Sequence, residues 1–341
     1  MRALLLGALA GSALCTTPAH AQDGLRGRDG AVALAAAQHA PTLSAPSSTP
    51  ASAYDGALQV DETAAAERAL ERTLVRAGAL LLPPGAVEME SLLRFTRIER
   101  TAPANIGAPG APIIVEARQE RDAADAIVGL RLGLPFDAQA ELAVPLSAAR
   151  VRTVTAFSGA PLAEDDDDGA GLGDVVLSLT KTVLHEEGAR PDLFVAFIYD
   201  SATGDDEGAF AFGSGFHELG LALTAVKRVD PLVLIASGSY QRALERDGVQ
   251  PSDQYGLDLR AVLAVSPTMS LRFGLEQTYA TRPEFGGVPS AGADQLISTF
   301  VFGAAGALSR RTLVDFELGL GLTDDAPDYY LQTALPFRFS Y

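Results

Sequence analysis

The stretch "DYYLQTALPFRFSY", Asp328 to Tyr341, decides how this chain is read. Its odd positions are Tyr329, Leu331, Thr333, Leu335, Phe337, Phe339 and Tyr341, and its even positions are Tyr330, Gln332, Ala334, Pro336, Arg338 and Ser340. Successive side chains of a strand point to opposite faces, so this stretch predicts a strand with one greasy face and one mixed face. On the edge of a soluble sheet such a face invites aggregation. Closing the sheet into a barrel removes the edge.

The same period of two runs through the chain from Val87 onward. Val128, Leu130 and Leu132 are set against Gly129, Arg131 and Gly133. Val175-Leu177-Leu179, Leu219-Leu221-Leu223, Leu257-Leu259-Ala261-Leu263 and Phe316-Leu318-Leu320 each give another apolar face. Counted together, these segments make about twelve strands, an even number of the kind bacterial barrels use. The connections alternate as well. Those near 135–138, 185–191, 227–231, 266–268 and 306–310 are short, whereas those near 101–111, 153–171, 200–214, 244–253 and 281–293 read as long loops. A soluble sandwich has no reason to sort its loops this way. A membrane barrel does, with short periplasmic turns and long outer loops.

Composition narrows the class. The 341 residues carry a formal net charge of −17, a balance that repels nucleic acid. Met1-Arg2, the apolar run Ala3 to Leu14 and the small-x-small triplet Ala19-His20-Ala21 have the pattern of a secretory leader. The single cysteine, Cys15, lies within it, so the rest of the chain can form no disulfide. No later apolar run approaches the roughly 18 residues of a membrane helix. Strands, which need only about ten alternating residues, remain the means of crossing.

The expected organisation is therefore a signal peptide over 1–21 and a disordered low-complexity segment over 22–60. A short amphipathic helix over 61–82 follows, acting as a plug or oligomerisation arm, and an antiparallel outer-membrane β-barrel occupies 83–341. Residues 22–60 are rich in Ala, Ser, Pro and Gly, too polar and too small to order themselves. In the helix, Leu70, Leu74 and Ala77 share a face, and Gly78 stands where a helix would end.

Certain motifs resemble those of the MetA-pathway of phenol degradation, or transporter-like, family of outer-membrane proteins. They are Gly171-Leu172-Gly173-Asp174-Val175 opening a strand, Pro191 starting the next, Thr203-Gly204 in the following loop, and Gly213-Ser214-Gly215 beyond it. Ala202 stands where that family usually has a proline. The stretch "ALERTLVRAGALLLPPGAVEMESLLRF" is also similar to the start of the related channels that secrete functional amyloid subunits. The resemblance implies a pore or export channel in the outer membrane of a Gram-negative bacterium.

Parity assigns the inward face. Arg94, Arg131, Glu141, Asp258, Arg260, Arg272, Glu276, Asp315, Glu317 and Arg338 are expected to line the lumen, and Phe337, Phe339 and Tyr341 to form the assembly signal read by the barrel assembly machinery. Gly129, Gly133, Gly220, Gly256, Gly274, Gly303, Gly319 and Gly321 fall on the lumenal parity, where they would leave room for a narrow pore. Asp165 to Asp168 reads as a solvated outer loop, since four consecutive carboxylates lack the staggered spacing of a calcium loop. The four histidines have no metal-ligand spacing, and no serine pairs convincingly with one, so neither a metal, a cofactor nor a catalytic centre is expected.

Two functions stay open: passive passage of small solutes, or export of a polypeptide such as an amyloid-like subunit, gated by the helix. Membrane lipid is the expected surroundings, and the helix could also join copies of the chain. Deleting Phe339 to Tyr341 should cripple membrane insertion, read as loss of heat-modifiable mobility on a gel; normal assembly of that truncation would refute the terminal signal.

Overall fold

A computed structural model describes residues 70–71, 73–75, 78–106, 113–205, 210–266, 268–290, 293–307 and 313–339. The expected leader, the low-complexity segment and Tyr341 lie outside the described residues.

The strands are β1 (Val87–Ile106), β2 (Ile113–Leu134), β3 (Ala138–Phe157), β4 (Ala160–Leu172), β5 (Val176–Leu184), β6 (Asp192–Asp200), β7 (Glu218–Val229) and β8 (Leu232–Ala243). Then come β9 (Val249–Gln250), β10 (Gln254–Ser266), β11 (Met269–Ala280), β12 (Glu284–Phe285), β13 (Val288–Pro289), β14 (Gln295–Ala307), β15 (Leu313–Gly321) and β16 (Tyr329–Phe339). Each wall strand pairs antiparallel with its neighbours, and β1 pairs with β16 from Val87↔Phe339 to Arg97↔Tyr329, which closes the ring. β4 and β5 lie end to end along β3, with Leu146↔Leu172 and Ala143↔Val176 in register. The closed wall therefore has twelve staves. The short pieces β9, β12 and β13 form a small separate sheet among the connections at the long-loop end.

Inside–outside alternation runs along the wall strands. In β7 Leu219, Leu221 and Leu223 are exposed while Glu218, Gly220 and Thr224 are buried. A wall whose large apolar side chains face out and whose charged ones face in is inverted relative to a soluble protein, and suits a lipid surround. Tyr199, Tyr240, Tyr255, Tyr279 and Tyr329 lie at the strand ends nearest the long connections. The rings of Tyr240 and Tyr255 are 5.1 Å apart and those of Tyr255 and Tyr279 are 6.2 Å apart. Amphipathic rings in a row at one level mark a membrane interface. The opposite end carries the tight turns, including Pro135-Phe136-Asp137 and Asp230-Pro231.

Two expected loops are strands. β1 runs on to Ile106 and β2 starts at Ile113, while β3 and β4 are joined by the two-residue turn Ser158-Gly159, both at positive φ. β1 to β4 thus project past the level where β16 begins. The acidic run lies inside β4 rather than in a loop, for a simple reason: on one face its carboxylates meet arginines of β3. Arg152 Nε donates to Glu164 at 2.7 Å and Arg150 Nε to Asp166 at 2.8 Å. That hydrogen bond holds Asp166 below the usual carboxylate range. Among the described residues no group of His, Cys, Asp and Glu could hold a metal ion.

Parity yields a direct test. Leu221→Arg, on the lipid face, should destabilise the barrel by about 2–4 kcal/mol in lipid vesicles, whereas Thr180→Arg, on the inward face, should cost far less. Equal losses would refute the assignment of faces.

Candidate functional site: the lumen

All ten charged residues assigned inward by parity lie on the inward face, and they gather into two groups. The first stands near the short-turn end on β1, β2, β3 and β16. Arg131 lies 3.3 Å from Glu88, 3.1 Å from Glu90 and 3.0 Å from Glu141. The contact with Glu141 is a close charge pair that misses hydrogen-bond alignment, since Arg131 Nε and Glu141 Oε1 both lack a hydrogen-bond partner. Arg338 Nε reaches Glu88 at 3.2 Å, and its Nη1 reaches Glu71 at 2.6 Å.

The second group spans β10, β11, β15, β16 and β1. Arg272 sits 2.8 Å from both Asp315 and Glu317. Arg260 pairs with Asp258 at 2.9 Å and also with Glu276. The Tyr330 hydroxyl donates to Glu317 at 3.1 Å, and the Arg94 guanidinium lies over the Tyr330 ring, 4.7 Å from its centroid. Arg94 Nε donates to Gln332 Oε1 at 2.8 Å. Arg94 has no carboxylate among its contacts, and its Nη1 has no hydrogen-bond partner. Buried ion pairs of this kind repay their desolvation only when each charge is answered; removing one partner costs about 3–5 kcal/mol.

The glycines on the inward face do leave room, but side chains and backbone fill much of it. A Cβ on Gly319 would stand 2.0 Å from Tyr330 Cε1, on Gly303 2.8 Å from Arg272 Nη2, on Gly274 3.1 Å from Arg260 Cγ, and on Gly133 2.0 Å from the Pro83 carbonyl oxygen. Gly319 and Tyr330 are direct cross-strand partners, so the ring lies flat over the glycine. The expectation of a narrow pore opened by glycines is thus modified: at these four positions the freed space seats the lumenal ion network and the incoming chain.

That chain is the segment before β1. The described part of its helix, residues 70–71 and 73–75, ends at Gly78, whose φ is +66°. Leu74 and Ala79 pack with Phe194, Val226, Val233, Ile235 and Val262, joined by Leu70, Leu80 and Leu81. These wall residues lie toward the short-turn ends of β6, β7, β8 and β10. Thr73 Oγ1 is 3.1 Å from Ser270 Oγ, and Leu82 N donates to Gln139 Oε1 at 3.0 Å. The described residues between 70 and 82 therefore lie across the inside of the barrel at that end. Residues 61–69 of the expected helix lie outside the described residues.

At the other end the sequence motifs converge on Asp174. The run Gly171 to Val175 is the break between β4 and β5, where Asp174 Oδ1 accepts from Gly204 N at 2.7 Å and its Oδ2 from Ser214 N. Asp205 N donates to Leu172 O at 2.8 Å and Thr203 Oγ1 accepts from Val175 N at 3.1 Å. Gly204 and Gly213 touch through their backbones: a Cβ on Gly204 would be 2.6 Å from Gly213 Cα. Phe212 and Phe210 fold over Gly171 and Gly169. The loop is thereby tied to the inner side of the wall.

Tyr330 and Asp200 stand outside the expected set, although both sit on inward positions of their strands. Both carry the inward parity that could have found them. Phe337 and Phe339 stand on the outer face, exposed, at the last turn of β16.

The family model described as "Putative MetA-pathway of phenol degradation" matches residues 121–339. Among solved structures the chain is similar to the COG4313 outer membrane channel from Pseudomonas putida F1, at 17% identity over 76% of this chain and 97% of that one, with a TM-score of 0.58. It is also similar to the translocator domain of autotransporter NalP from Neisseria meningitidis, at 12% identity over 82% and 98%, TM-score 0.47. A third is the P. putida toluene transporter TodX, at 9% identity over 80% and 92%, TM-score 0.38. The first is a likeness of fold; the other two carry no weight beyond being barrels.

The Tyr330 seat gives a test of the lumen. Gly319→Ala should destabilise by about 1–3 kcal/mol or prevent folding, because the ring is held by Glu317 and Arg94 and has nowhere to go. Gly238→Ala, with open space around its Cβ position, should be silent in the same unfolding assay. A silent Gly319→Ala would mean that Tyr330 is not fixed.

Proposed function

This chain belongs to the MetA-pathway of phenol degradation family, and from that membership and its lumen we propose that it is a passive outer-membrane channel for small solutes, without a catalytic centre. The observation that carries the reading is a closed twelve-stave wall with an apolar exterior and a charged, hydrogen-bonded interior. An inner face of that kind suits water and polar or small solutes, and it cannot be lipid-facing. The Pseudomonas putida protein with which it shares its fold is an outer membrane channel, in keeping with the same role.

Residues 70–82 are, in this reading, the gate. Their apolar contacts and the ion pair of Glu71 with Arg338 hold them inside the short-turn end. A segment of this size is marginal as a free helix, so it orders itself by docking and releases as a unit. Insertion depends on the barrel assembly machinery reading Phe337 and Phe339, and membrane lipid covers the exposed leucines. Export of a polypeptide would require the same segment to leave the lumen altogether.

Planar-bilayer recording tests the channel and the gate together. The full chain should conduct weakly, and removing residues 22–78 should raise single-channel conductance severalfold. Glu71→Ala should give an intermediate rise in open time. Equal conductance of the full and shortened chains would make the segment a spacer.

A further inference from the structure

The charges of the lumen do not balance. Among the described residues eleven carboxylates are buried against four guanidiniums. The excess is not spread evenly. Arg131, Arg260 and Arg272 answer the acids of β1, β3, β10, β11 and β15, as described above, while Asp125 of β2 accepts from the Ser147 hydroxyl and Asp192 of β6 pairs with Arg228. On the remaining wall, toward the long-loop end, three buried acids stand without a cationic partner.

Asp200, the last residue of β6, and Glu218, the first of β7, are directly opposed in register. They are 2% and 1% exposed. Val176 is the β5 partner of Asp200, and Asp174 lies two residues before Val176 on the same inward face, at the break between β4 and β5. The oxygens of Asp174 are met by two backbone N–H groups, and Glu218 Oε2 accepts from Gln241 Nε2 at 2.6 Å. Asp200 Oδ1 and Glu218 Oε1 accept nothing. His217, next in sequence to Glu218, points away: its Nδ1 is 2.9 Å from the Tyr199 hydroxyl on the opposite parity.

A buried carboxylate with an open oxygen and no cation nearby is costly, and adjacent like charges raise that cost. A mobile cation entering the lumen lowers it. Low-dielectric walls lined by one sign of charge focus the field and concentrate counter-ions. No fixed metal site is implied, since these side chains do not form a chelating group.

We propose that the path through this barrel is cation-selective, and that Asp200 and Glu218, backed by Asp174, are the residues that read the cation at its long-loop end. The inference rests on the channel reading and adds to it the class of solute: small cations, inorganic or ammonium-bearing, are drawn in, and anions are held out. Arg131, Arg260 and Arg272 do not oppose this, because their charge is spent on their own acids; Arg94 on β1, held by Gln332 and the Tyr330 ring, is the buried guanidinium not so spent among the described residues.

The test uses the full chain in a planar bilayer under a roughly tenfold KCl gradient at neutral pH. The reversal potential should lie toward the potassium equilibrium potential, with a permeability ratio of potassium over chloride of about 5 or more. The double substitution Asp200→Asn with Glu218→Gln should lower that ratio about threefold while the barrel keeps its heat-modifiable mobility. Asp166→Asn, on the exterior of the projecting strands, should leave it unchanged. A native ratio near one, or a ratio indifferent to the double substitution, would overturn the assignment, and so would proton-filled carboxyls, which would give that same result. A folded barrel that carries no current fails the channel reading itself and takes this inference with it.

Discussion

The pairing of β1 with β16 is the constraint on which the rest of the structure depends. In hydrocarbon no water is available to satisfy an exposed N–H or C=O, so a sheet can cross only if its first and last strands bond to one another. The register from Val87↔Phe339 to Arg97↔Tyr329 does this over the full length of β16. It brings residues from opposite ends of the chain into one wall, and it fixes the side to which every other strand must turn its leucines. Once the ring is closed, a slip of one residue would put Glu88 and Arg338 into lipid and Met89 and Phe337 into the lumen.

Closure also creates the interior problem. The inward face of the wall must be polar enough for water yet cannot leave charges unanswered. One side solves it locally: Arg272 between Asp315 and Glu317, Arg260 between Asp258 and Glu276, and Arg131 among three glutamates. Tyr330 ties two of these acids together and takes its seat over Gly319, where any side chain on β15 would collide with the ring.

The alternation that places these residues was legible in the sequence because it depends only on backbone geometry. The period of two separates Leu221 from Gly220 and Phe337 from Arg338 whatever the loops do. What the sequence could not show depends on contacts remote in the chain. The run Asp165 to Asp168 looks like a solvated loop until Arg150 and Arg152, on the neighbouring strand, are seen to answer Asp166 within it and Glu164 just before it. The glycines on the lumenal parity look like empty space until Tyr330, Arg272 and Pro83 are seen to occupy it. The short motifs around Gly171, Thr203 and Gly213 mark a resemblance in the sequence, and only in three dimensions do they become a single knot around Asp174.

Groups that satisfy one another make a wall, and groups left open mark where something else can bind. Arg272, Asp315, Glu317 and Tyr330 gain by staying as they are, and a solute that displaced any of them would have to repay a buried ion pair. Arg131 Nε, Arg272 Nε and Arg338 Nη2 are open atoms of guanidiniums that are otherwise ion-paired, whereas Arg94 Nη1, Asp200 Oδ1 and Glu218 Oε1 belong to groups with no ion pair among the described residues, on two separate arcs of the same ring. The two open carboxylate oxygens stand on β6 and β7, where the wall above the Asp192–Arg228 pair is lined by Ile198, Gly220 and Thr224 rather than by salt bridges. Residues 70–82 press on the same arc at its other end, through Phe194, Val226 and Val233. The proposed selection at the long-loop end and the proposed closure at the short-turn end would thus fall on one side of the barrel. The opposite side is tied together by its own ion pairs.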